Sequence, residues 1–319
     1  MPKPAPTGGR RAWLTDSSML LVCLIWGINF SMMKFALRSL SPFGLTAIRY
    51  LIAAAALYAA VRALEPKVRV PRAAALRLLA LGVLGNTIYQ AGFISGLDRT
   101  TAGNSSLLIA STPVMTAVLG AALGYEHITR AIGWAIGIGT AGVVLVVLAG
   151  EVHFSATTLT GDLLTLAAVL CWAGFTHGVR KVGGGISPLQ ITLLTTLGGT
   201  PGLVLLGLPS LVRMDWSAIS AATWGAVIYS ALLSIVVGYL FWNRSVHVIG
   251  ANRTALFSIT TPLFALVTAA LILGERPVAM QLAGAGLIIL GVVVNILAHW
   301  REQQRLQGAA TAVYRAGGR

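Results

Sequence analysis

Apolar residues fill ten long runs along the chain, and short polar or basic stretches separate these runs. A helix that crosses the hydrocarbon core of a bilayer needs about 20 predominantly apolar residues. On this measure the hydrophobic pattern predicts ten membrane-spanning helices, numbered spans one to ten. Their predicted bounds are 17–37, 43–62, 76–97, 102–124, 131–150, 159–180, 187–208, 218–242, 251–274 and 279–300. The predicted fold class is an all-α multi-pass membrane protein.

The segments outside these runs are basic and indicate an orientation. Residues 1–16 and 301–319 are polar or rich in small residues, and the pattern predicts them as cytoplasmic tails. With both termini inside, 17 of the 23 Lys and Arg residues fall on the cytoplasmic side. Cytoplasmic loops of membrane proteins carry this kind of positive excess. The charge pattern therefore favours an even number of spans with both termini in the cytoplasm.

One stretch of the chain occurs twice. Residues 105–126 read SSLLIASTPVMTAVLGAALGYE, and residues 254–275 read TALFSITTPLFALVTAALILGE. Pro113 and Pro262 hold matching positions, 149 residues apart. Because a proline inside a helix removes a backbone hydrogen bond and kinks the helix, we predict that both are hinges. Nearby Ser and Thr hydroxyls are predicted to bond the freed carbonyls, and the final glutamate of each copy is predicted to cap a helix end.

The duplication extends over nearly the whole chain. Trp26 and Trp172, for example, are 146 residues apart in matching surroundings. The chain is therefore predicted to contain two five-span repeats, 17–150 and 159–300. Since five is an odd number, the second repeat enters the membrane inverted. Inverted repeats place a ligand site near the bilayer midplane between the halves and work by alternating access, so the sequence predicts a transporter with a central cavity.

The composition agrees with a membrane protein and disfavours several functional classes. Hydrophobic residues make up 56% of the chain and charged residues 10%, against about 25% charged in soluble domains. Loops that face anionic lipid account for the net charge of +14, so no nucleic-acid partner is predicted. Cys23 and Cys171 lie in apolar runs and the histidines are scattered, so no disulfide, metal site or cofactor is expected. The nine acidic residues lie at tails, loops or span ends, where an enzyme's paired carboxylates are not expected.

The order of the motifs resembles a known family. Span one carries Leu-Ile-Trp-Gly-x-Asn-Phe, span two begins with Ser-Pro-x6-Arg, and Pro-x12-Glu occurs twice. Together these motifs are similar to the EamA family of the drug/metabolite transporter superfamily, and most like its bacterial aromatic amino acid exporters. The resemblance implies ten helices in two inverted halves, a central cavity, and export of small metabolites across the bacterial inner membrane. A ten-helix unit that contains both halves can work as a monomer.

Span three carries a candidate cavity surface. Asn86, Tyr89, Gln90 and Phe93 follow the i, i+3, i+4, i+7 spacing and therefore share one helix face. Amides in mid-membrane are unfavourable toward lipid, so this face is expected to line the cavity. The alternative is hydrogen bonding between tightly packed helices, with nearby glycines allowing close approach.

Spans one and six carry a second candidate surface. Trp26, Asn29 and Phe30 lie within about one turn near the middle of span one. Trp172 and Phe175 hold the positions of Trp26 and Asn29 in the second repeat. We predict that the two halves line the cavity unequally here, as an asymmetric substrate requires. The alternative is that both tryptophans are packing wedges at the interface between the repeats.

Arg49 is a charged candidate, since it lies about 10 Å into span two by the helical rise and no acid shares its span. Its guanidinium is predicted to bind a substrate carboxylate or phosphate through two hydrogen bonds. The alternatives are snorkelling to the outer headgroups and pairing with a carbonyl or a loop acid. In span eight, Tyr229 and Ser230 are predicted to face the cavity. Span eight ends in a cluster, most of which is predicted to belong to the aromatic belt at the cytoplasmic interface. The cluster consists of Tyr239, Phe241, Trp242, Asn243 and Arg244.

The predicted substrate follows from the charge of the cavity. Because no acid is expected at mid-membrane and a buried organic cation needs a counter-charge, a cationic-drug exporter is disfavoured. A neutral or zwitterionic small molecule is expected instead, and we predict export of amino acids, aromatic or otherwise neutral. Carriers of nucleobases, nucleosides, nucleotide sugars or other metabolites are the alternative, and a membrane-embedded enzyme is a distant one.

Overall fold

The computed structural model describes residues 9–124, 130–150, 156–294 and 297. The regular secondary structure of this part of the chain is helical throughout. In chain order the helices are α1 (Gly9–Ala36), α2 (Pro42–Leu64), α3 (Arg72–Arg99), α4 (Ala102–Ala122), α5 (Arg130–Gly150), α6 (Ala156–Val182), α7 (Pro188–Val212), α8 (Ala221–Ile249), α9 (Ala251–Leu273) and α10 (Ala279–Val294). A 3₁₀ turn, Trp216–Ala218, lies between α7 and α8.

Within the described ranges, eight of these helices are long and apolar enough to cross a membrane. They are all except α5 and α10, whose apolar stretches are the shorter Gly137–Val146 and Ala279–Val294. The protein is therefore an all-α multi-pass membrane protein. Glu126 and the whole predicted C-terminal tail, residues 301–319, lie outside the described residues.

Two helix ends differ by seven residues or more from the bounds that the hydrophobic pattern predicts. Helix α1 begins at Gly9, inside the segment that was predicted as a tail. Helix α8 continues to Ile249, well beyond the predicted end at residue 242. The extensions read GRRAWLTD and NRSVHVI, so charged and polar residues interrupt the apolar pattern in both. These residues lower the mean hydropathy but do not prevent the backbone hydrogen bonds of a helix from continuing. A hydrophobic count therefore identifies the membrane-crossing part of a helix and not its full length.

Matching serines begin α2 and α7. Ser41 accepts a hydrogen bond from the amide of Gly44, and Ser187 accepts one from the amide of Gln190. Each serine is followed by a proline in the first helical turn. The N–H groups of this turn have no partner within the helix, so the N–H that proline lacks costs no helical hydrogen bond. The duplicated Ser-Pro motif thus starts a helix in the same way in both halves of the chain.

Helix α4 is interrupted just before Pro113. Its first part ends at Ile109, and its second part begins at Thr112 with Pro113 in the first turn. Pro113 has no N–H to offer the carbonyl of Ile109, and the hydroxyl of Thr112 donates to that oxygen at 2.5 Å. The predicted compensation of the freed carbonyl by a neighbouring hydroxyl is therefore confirmed in α4.

Helix α9 is interrupted at the matching place. A 3₁₀ turn, Phe257–Thr260, precedes an α-helical stretch, Thr261–Thr268, that has Pro262 in its first turn. The carbonyl of Ser258, which Pro262 leaves free, accepts the backbone amide of Thr261. The predicted interruptions are therefore present at both prolines, but a hydroxyl satisfies the freed carbonyl in α4 and a backbone amide does so in α9.

Three π-helical turns occur in the described chain, at Val83–Ile88 in α3, Ser230–Val237 in α8 and Ala269–Leu273 in α9. Such turns are rare and are frequent at functional sites. Those in α3 and α8 end within two residues of Tyr89 and Tyr239, so the wider turn changes the direction in which these side chains point. Hydrophobic periodicity does not predict these turns, because it assumes a constant helical repeat.

Glycines bring α3 and α7 into backbone contact. A Cβ atom placed on Gly82 would clash with the carbonyl oxygen of Thr195, and one on Gly198 would clash with the carbonyl oxygen of Leu79. Small residues permit this close approach between membrane helices. The contact joins the first half of the chain to the second.

Candidate functional site

A cavity lies among helices from both halves of the chain, and about 570 Å³ of space free of protein atoms, open solvent included, lies within and at the mouth of it. Its lining residues are Trp26, Asn29, Phe30, Arg49, Tyr89, Gln90, Phe93, Ile109, Thr112, Trp172, Ser234, Tyr239, Trp242, Ser258 and Thr261. Seven of these side chains are aromatic, and one, Arg49, is charged. No acidic side chain belongs to the described lining, so the charge of the cavity is positive.

Eight of the twelve predicted cavity residues line this space. They are Trp26, Asn29, Phe30, Arg49, Tyr89, Gln90, Phe93 and Trp172. The other four, Asn86, Phe175, Tyr229 and Ser230, lie outside the lining and make contacts between helices. The structure therefore brings most of the candidates together.

Asn86 lies in the interface between α3 and its neighbours, not at the cavity. Its side chain is fully buried, and its Oδ1 accepts a hydrogen bond from the hydroxyl of Tyr50 at 3.0 Å. Its Nδ2 donates to the carbonyl of Thr195 in α7 at 2.7 Å. Both ends of the amide are thus engaged in bonds between helices. For this residue the alternative interpretation, helix packing, describes its position.

Phe175 packs against α3. A Cβ on Gly85 would clash with the Phe175 ring, so the ring fills the space that the glycine leaves open. The side chain of Phe175 is fully buried, and its ring centroid lies 5.0 Å from that of Trp172. Phe175 thus supports a lining residue from behind and does not reach the cavity itself.

Tyr229 and Ser230 hold α8 against α1. The hydroxyl of Tyr229 donates to the carbonyl of Ile25 at 3.0 Å. The hydroxyl of Ser230 donates to Oδ1 of Asn29 through a short hydrogen bond. This bond occupies one acceptor position of a residue that does line the cavity, so Ser230 orients the Asn29 amide.

Trp26 and Trp172 lie at the centre of an aromatic cluster. Their ring centroids are 6.0 Å apart in an edge-to-face arrangement. Trp242 is 5.3 Å from Trp26 and 5.5 Å from Trp172, and Tyr239 is 5.1 Å from Trp172. The indole Nε1 of Trp26 donates to the carbonyl of Ser234, within the π turn of α8, at 3.0 Å. Such ring pairs add stability beyond their burial and leave flat aromatic faces along the cavity.

The prediction that Tyr239 and Trp242 belong to the aromatic belt at the membrane interface is wrong. Tyr239 is 4% exposed, Trp242 is fully buried, and both line the cavity. Because α8 continues to Ile249, these residues lie further from the helix end than the hydrophobic pattern indicates. The 149-residue shift that relates Pro113 to Pro262 could have identified them, since it relates Tyr239 to Gln90 and Trp242 to Phe93.

A hydrogen-bond chain beside the cavity links the two halves. The hydroxyl of Tyr50 donates its one hydrogen to Oδ1 of Asn86, and it lies 3.3 Å from the hydroxyl of Tyr239. Tyr239 must therefore be the donor to Tyr50. Tyr239 in turn accepts from Nε2 of Gln90 at 3.0 Å. These bonds fix the orientation of the Gln90 amide and leave its Oε1 without a hydrogen-bond partner among the described residues.

Arg49 lies inside the protein at the cavity wall. It is 1% exposed, and its Nε and Nη1 atoms have no hydrogen-bond partner among the described residues. Its electrostatic neighbours are three tyrosines, Tyr50, Tyr89 and Tyr239, and no carboxylate is among them. A buried charge without a partner is strongly unfavourable. Because Arg49 is buried, snorkelling to the outer headgroups does not describe this position.

Comparison with known proteins shows a family relationship over nearly the whole chain. The model of the EamA-like transporter family matches twice, at residues 13–148 and 159–297. A solved crystal structure at 20% sequence identity superposes with a TM-score of 0.63, covering 89% of this chain and 98% of that one. At this identity the superposition establishes a shared fold and nothing further.

Several curated relatives are transporters by name. A probable terminal-alkyne amino-acid exporter of Streptantibioticus cattleyicolor is 31% identical over 281 residues, covering 87% of this chain and 91% of the relative. The transporter YyaM of Bacillus subtilis is 30% identical and covers 84% and 88% of the two chains. A probable amino-acid metabolite efflux pump of Escherichia coli is 28% identical over 300 residues, covering 89% and 95%. The chain therefore belongs to the EamA-like transporter family.

Proposed function

We propose that the protein exports small metabolites, most of all amino acids with aromatic or other neutral side chains, across the bacterial inner membrane. The observation that carries this proposal is the cavity, which combines seven aromatic side chains, amides and hydroxyls with a single arginine. Ligand sites of this kind use apolar walls for affinity and a few polar groups for orientation. An aromatic or apolar amino acid matches this arrangement, since its side chain can contact the rings and its polar end the arginine.

The names of the relatives support an amino-acid substrate. Two of the three relatives named above are described as an amino-acid exporter and an amino-acid metabolite efflux pump. The family and these relatives are described as transporters, and the proposal agrees with that. A phosphate-bearing substrate such as a nucleotide sugar is less well matched, because a phosphate dianion favours several cationic groups and Arg49 is the single one in the described lining.

We further propose ten spans in two inverted halves, with both termini in the cytoplasm. The double family match, at residues 13–148 and 159–297, supports a duplication. Residues on a two-fold axis contact their own counterparts. Trp26 packs against its counterpart Trp172, and Gln90 bonds its counterpart Tyr239. Both observations support a pseudo-two-fold axis that passes close to the cavity.

Alternating access then follows from movement of the interrupted helices. Helices α4 and α9 each have a break before a proline, and each contributes residues to the cavity wall, Thr112 and Thr261 among them. Bending at these breaks would open one side of the cavity while closing the other, as in other inverted-repeat carriers. The prolines act in this proposal as hinges, and they do not bind the substrate.

The proposal is tested with purified protein in liposomes loaded with labelled phenylalanine or threonine. We expect saturable efflux that unlabelled amino acid inhibits, with liposomes lacking the protein as the control. Labelled uridine and a labelled nucleotide sugar are run in parallel. Flux of either of these compounds without flux of any amino acid would overturn the amino-acid assignment and favour the alternative carrier. Absence of flux for all of them would overturn the proposal as a whole.

A further inference from the structure

The cavity contains buried polar atoms that the protein itself leaves without partners. Besides Nε and Nη1 of Arg49, they are Oε1 of Gln90, Nε1 of Trp242 and Oγ1 of Thr261, judged within the described residues. All four side chains line the same cavity. Buried polar groups in proteins are nearly always hydrogen-bonded, and an unpaired one is costly. Several unpaired groups around one cavity indicate that their partners come from a bound molecule.

These atoms differ in what they offer. Arg49 presents a positively charged pair of donors, and Trp242 presents a neutral N–H donor. Gln90 presents an acceptor, because its Nε2 is already bonded to the Tyr239 hydroxyl and only Oε1 remains. The amide orientation follows from that bond, since the Tyr239 hydrogen is donated to Tyr50. The cavity therefore has a cationic donor side and a neutral acceptor.

The two sides line the same cavity and share Tyr239 as a neighbour. Its hydroxyl accepts from Gln90, and Tyr239 is also among the tyrosines that interact electrostatically with Arg49. A ligand that reaches both must carry an anionic group and a donor group a short distance apart. An α-amino acid has this arrangement, with its carboxylate and ammonium on one carbon atom.

We propose that the cavity recognises the zwitterionic head of an α-amino acid, with the carboxylate on the Arg49 guanidinium and the ammonium on Oε1 of Gln90. This inference rests on the proposed function and names the part of the substrate that the site reads. Nε1 of Trp242 and the Thr261 hydroxyl add hydrogen bonds, and the aromatic faces attract the ammonium as well. The side chain of the substrate contacts the rings of Trp26 and Trp172.

A compound that carries only the amine or only the carboxylate is expected to bind more weakly than the amino acid. The physical reason differs between the two cases. An amine without a carboxylate brings a second positive charge to Arg49 and leaves the guanidinium unpaired. A carboxylate without an amine pairs Arg49 but leaves the Gln90 acceptor without a donor, which is the smaller loss. The predicted order of affinity is therefore phenylalanine, then 3-phenylpropionate, then phenethylamine.

The first experiment needs no variant. Binding of these three compounds to the purified wild-type protein is measured by thermal shift, because a ligand that binds the folded state raises its melting temperature. The predicted order supports the inference. Equal shifts for the three compounds, or a larger shift for phenethylamine, would overturn it, whether or not phenylalanine is transported in liposomes.

The second experiment assigns the two ends of the zwitterion. Arg49→Gln is expected to weaken binding of phenylalanine and of 3-phenylpropionate by about 30-fold or more. The affinity for phenethylamine is expected to rise or to stay the same. Gln90→Leu is expected to weaken binding of phenylalanine by about tenfold or more and to leave the affinity for 3-phenylpropionate unchanged. A purely structural defect would weaken all ligands together. Arg38→Gln removes an exposed arginine from the same half and serves as the matched control.

The outcomes separate this inference from the proposed function. If the wild type transports phenylalanine but Arg49→Gln keeps the same ratio of phenylalanine to phenethylamine binding, the zwitterion site is wrong and the exporter stands. If the binding order holds but no amino acid is transported, the site stands and the exporter is wrong. Arg49→Lys keeps the charge but loses the two-pronged geometry, so it covers the case in which Arg49→Gln does not fold.

Discussion

At the scale of single residues, Glu275 shows how a charge is used away from the cavity. Its carboxylate oxygens accept hydrogen bonds from the backbone amides of Ala102 and Gly103, at 3.0 and 2.9 Å. These are the first amides of α4, which have no partner within their own helix. The residue that ends the second copy of the duplicated stretch therefore caps the helix that contains the first copy, as the end-cap prediction states.

Replacement of this carboxylate gives a prediction about stability. Glu275→Gln keeps the size of the side chain but removes the negative charge that favours a helix N-terminus. We expect the free energy of unfolding to fall by about 1 kcal/mol, which is typical for loss of a helix cap. Thermal unfolding in detergent measures this loss. Arg276→Gln, which changes the exposed residue next to Glu275, is the control. An unchanged melting temperature for Glu275→Gln would contradict the capping role.

Lys34 binds the C-terminal end of a helix, that of α3, whereas Glu275 binds the N-terminal end of α4. Its Nζ donates to the carbonyls of Leu97, Asp98 and Thr100 at 2.7, 3.0 and 2.6 Å. The last carbonyls of a helix have no partner within the helix, and a cation there is favourable. Lys34 is one of the six Lys and Arg residues that the charge pattern does not place on the cytoplasmic side. The structure adds that this charge joins the end of α1 to the end of α3.

At the scale of helices, the proline interruptions are the feature with a testable consequence. Pro113→Ala restores the amide that can bond the carbonyl of Ile109, so α4 can run without a break. Proline is less favourable than alanine by about 3 kcal/mol in a helix interior. We expect each of Pro113→Ala and Pro262→Ala to reduce the maximal flux several-fold while the affinity for substrate stays nearly the same. Initial efflux rates and thermal-shift titrations measure the two quantities.

Helix α7 supplies a matched control for this prediction. Pro201 also lies inside a helix, but α7 continues through it without a break. Pro201→Ala is therefore expected to change stability without changing maximal flux. If Pro113→Ala and Pro262→Ala transport as fast as the wild type, the hinge role is wrong and the two prolines only shape the cavity wall.

At the scale of the whole molecule, the unpaired Arg49 bears on the transport cycle. When no substrate is bound, a carrier that closes around its cavity must enclose an unpaired guanidinium, which is unfavourable. When a substrate carboxylate is bound, the charge is paired and the same movement is easier. We therefore expect unlabelled phenylalanine outside the liposomes to accelerate efflux of labelled phenylalanine from inside.

The size of this acceleration tests the idea directly. Exchange is expected to exceed net efflux by about tenfold if closure of the empty carrier is only 1.4 kcal/mol less favourable than closure of the loaded one. In Arg49→Gln, measured at saturating substrate, the ratio of the two rates is expected to approach one. Equal rates of exchange and net efflux in the wild type would contradict the prediction.

Much of the architecture could be predicted from the sequence. The apolar runs, the low charge and the duplicated motifs predicted a multi-pass helical membrane protein of the EamA family, and this is confirmed. Pro113 and Pro262 predicted where two helices are interrupted. These features depend on local backbone chemistry or on length, and both can be read from the order of residues.

The positions of individual side chains at the cavity were decided by tertiary packing. Asn86 and Gln90 share one predicted helix face, yet Asn86 bonds a neighbouring helix and Gln90 lines the cavity. Contact with lipid is unfavourable for both amides, so the sequence identifies a helix face that avoids lipid. It does not indicate whether a residue on that face contacts a neighbouring helix or lines a cavity. The π turn within α3 also changes the direction of the side chains that follow it. Trp242 likewise reaches the cavity because α8 extends further than its apolar run.

The sequence by itself thus determined the class of protein, its family, the two breaks and the presence of an arginine within a span. Only the tertiary structure decided that Arg49, Gln90 and Tyr239 line one cavity and that Gln90 bonds Tyr239 there. The physical reason is that the polar groups of a binding site come from helices distant in the chain. Their distances depend on how glycines, ring pairs and interrupted helices pack, and no periodicity within one helix contains that information.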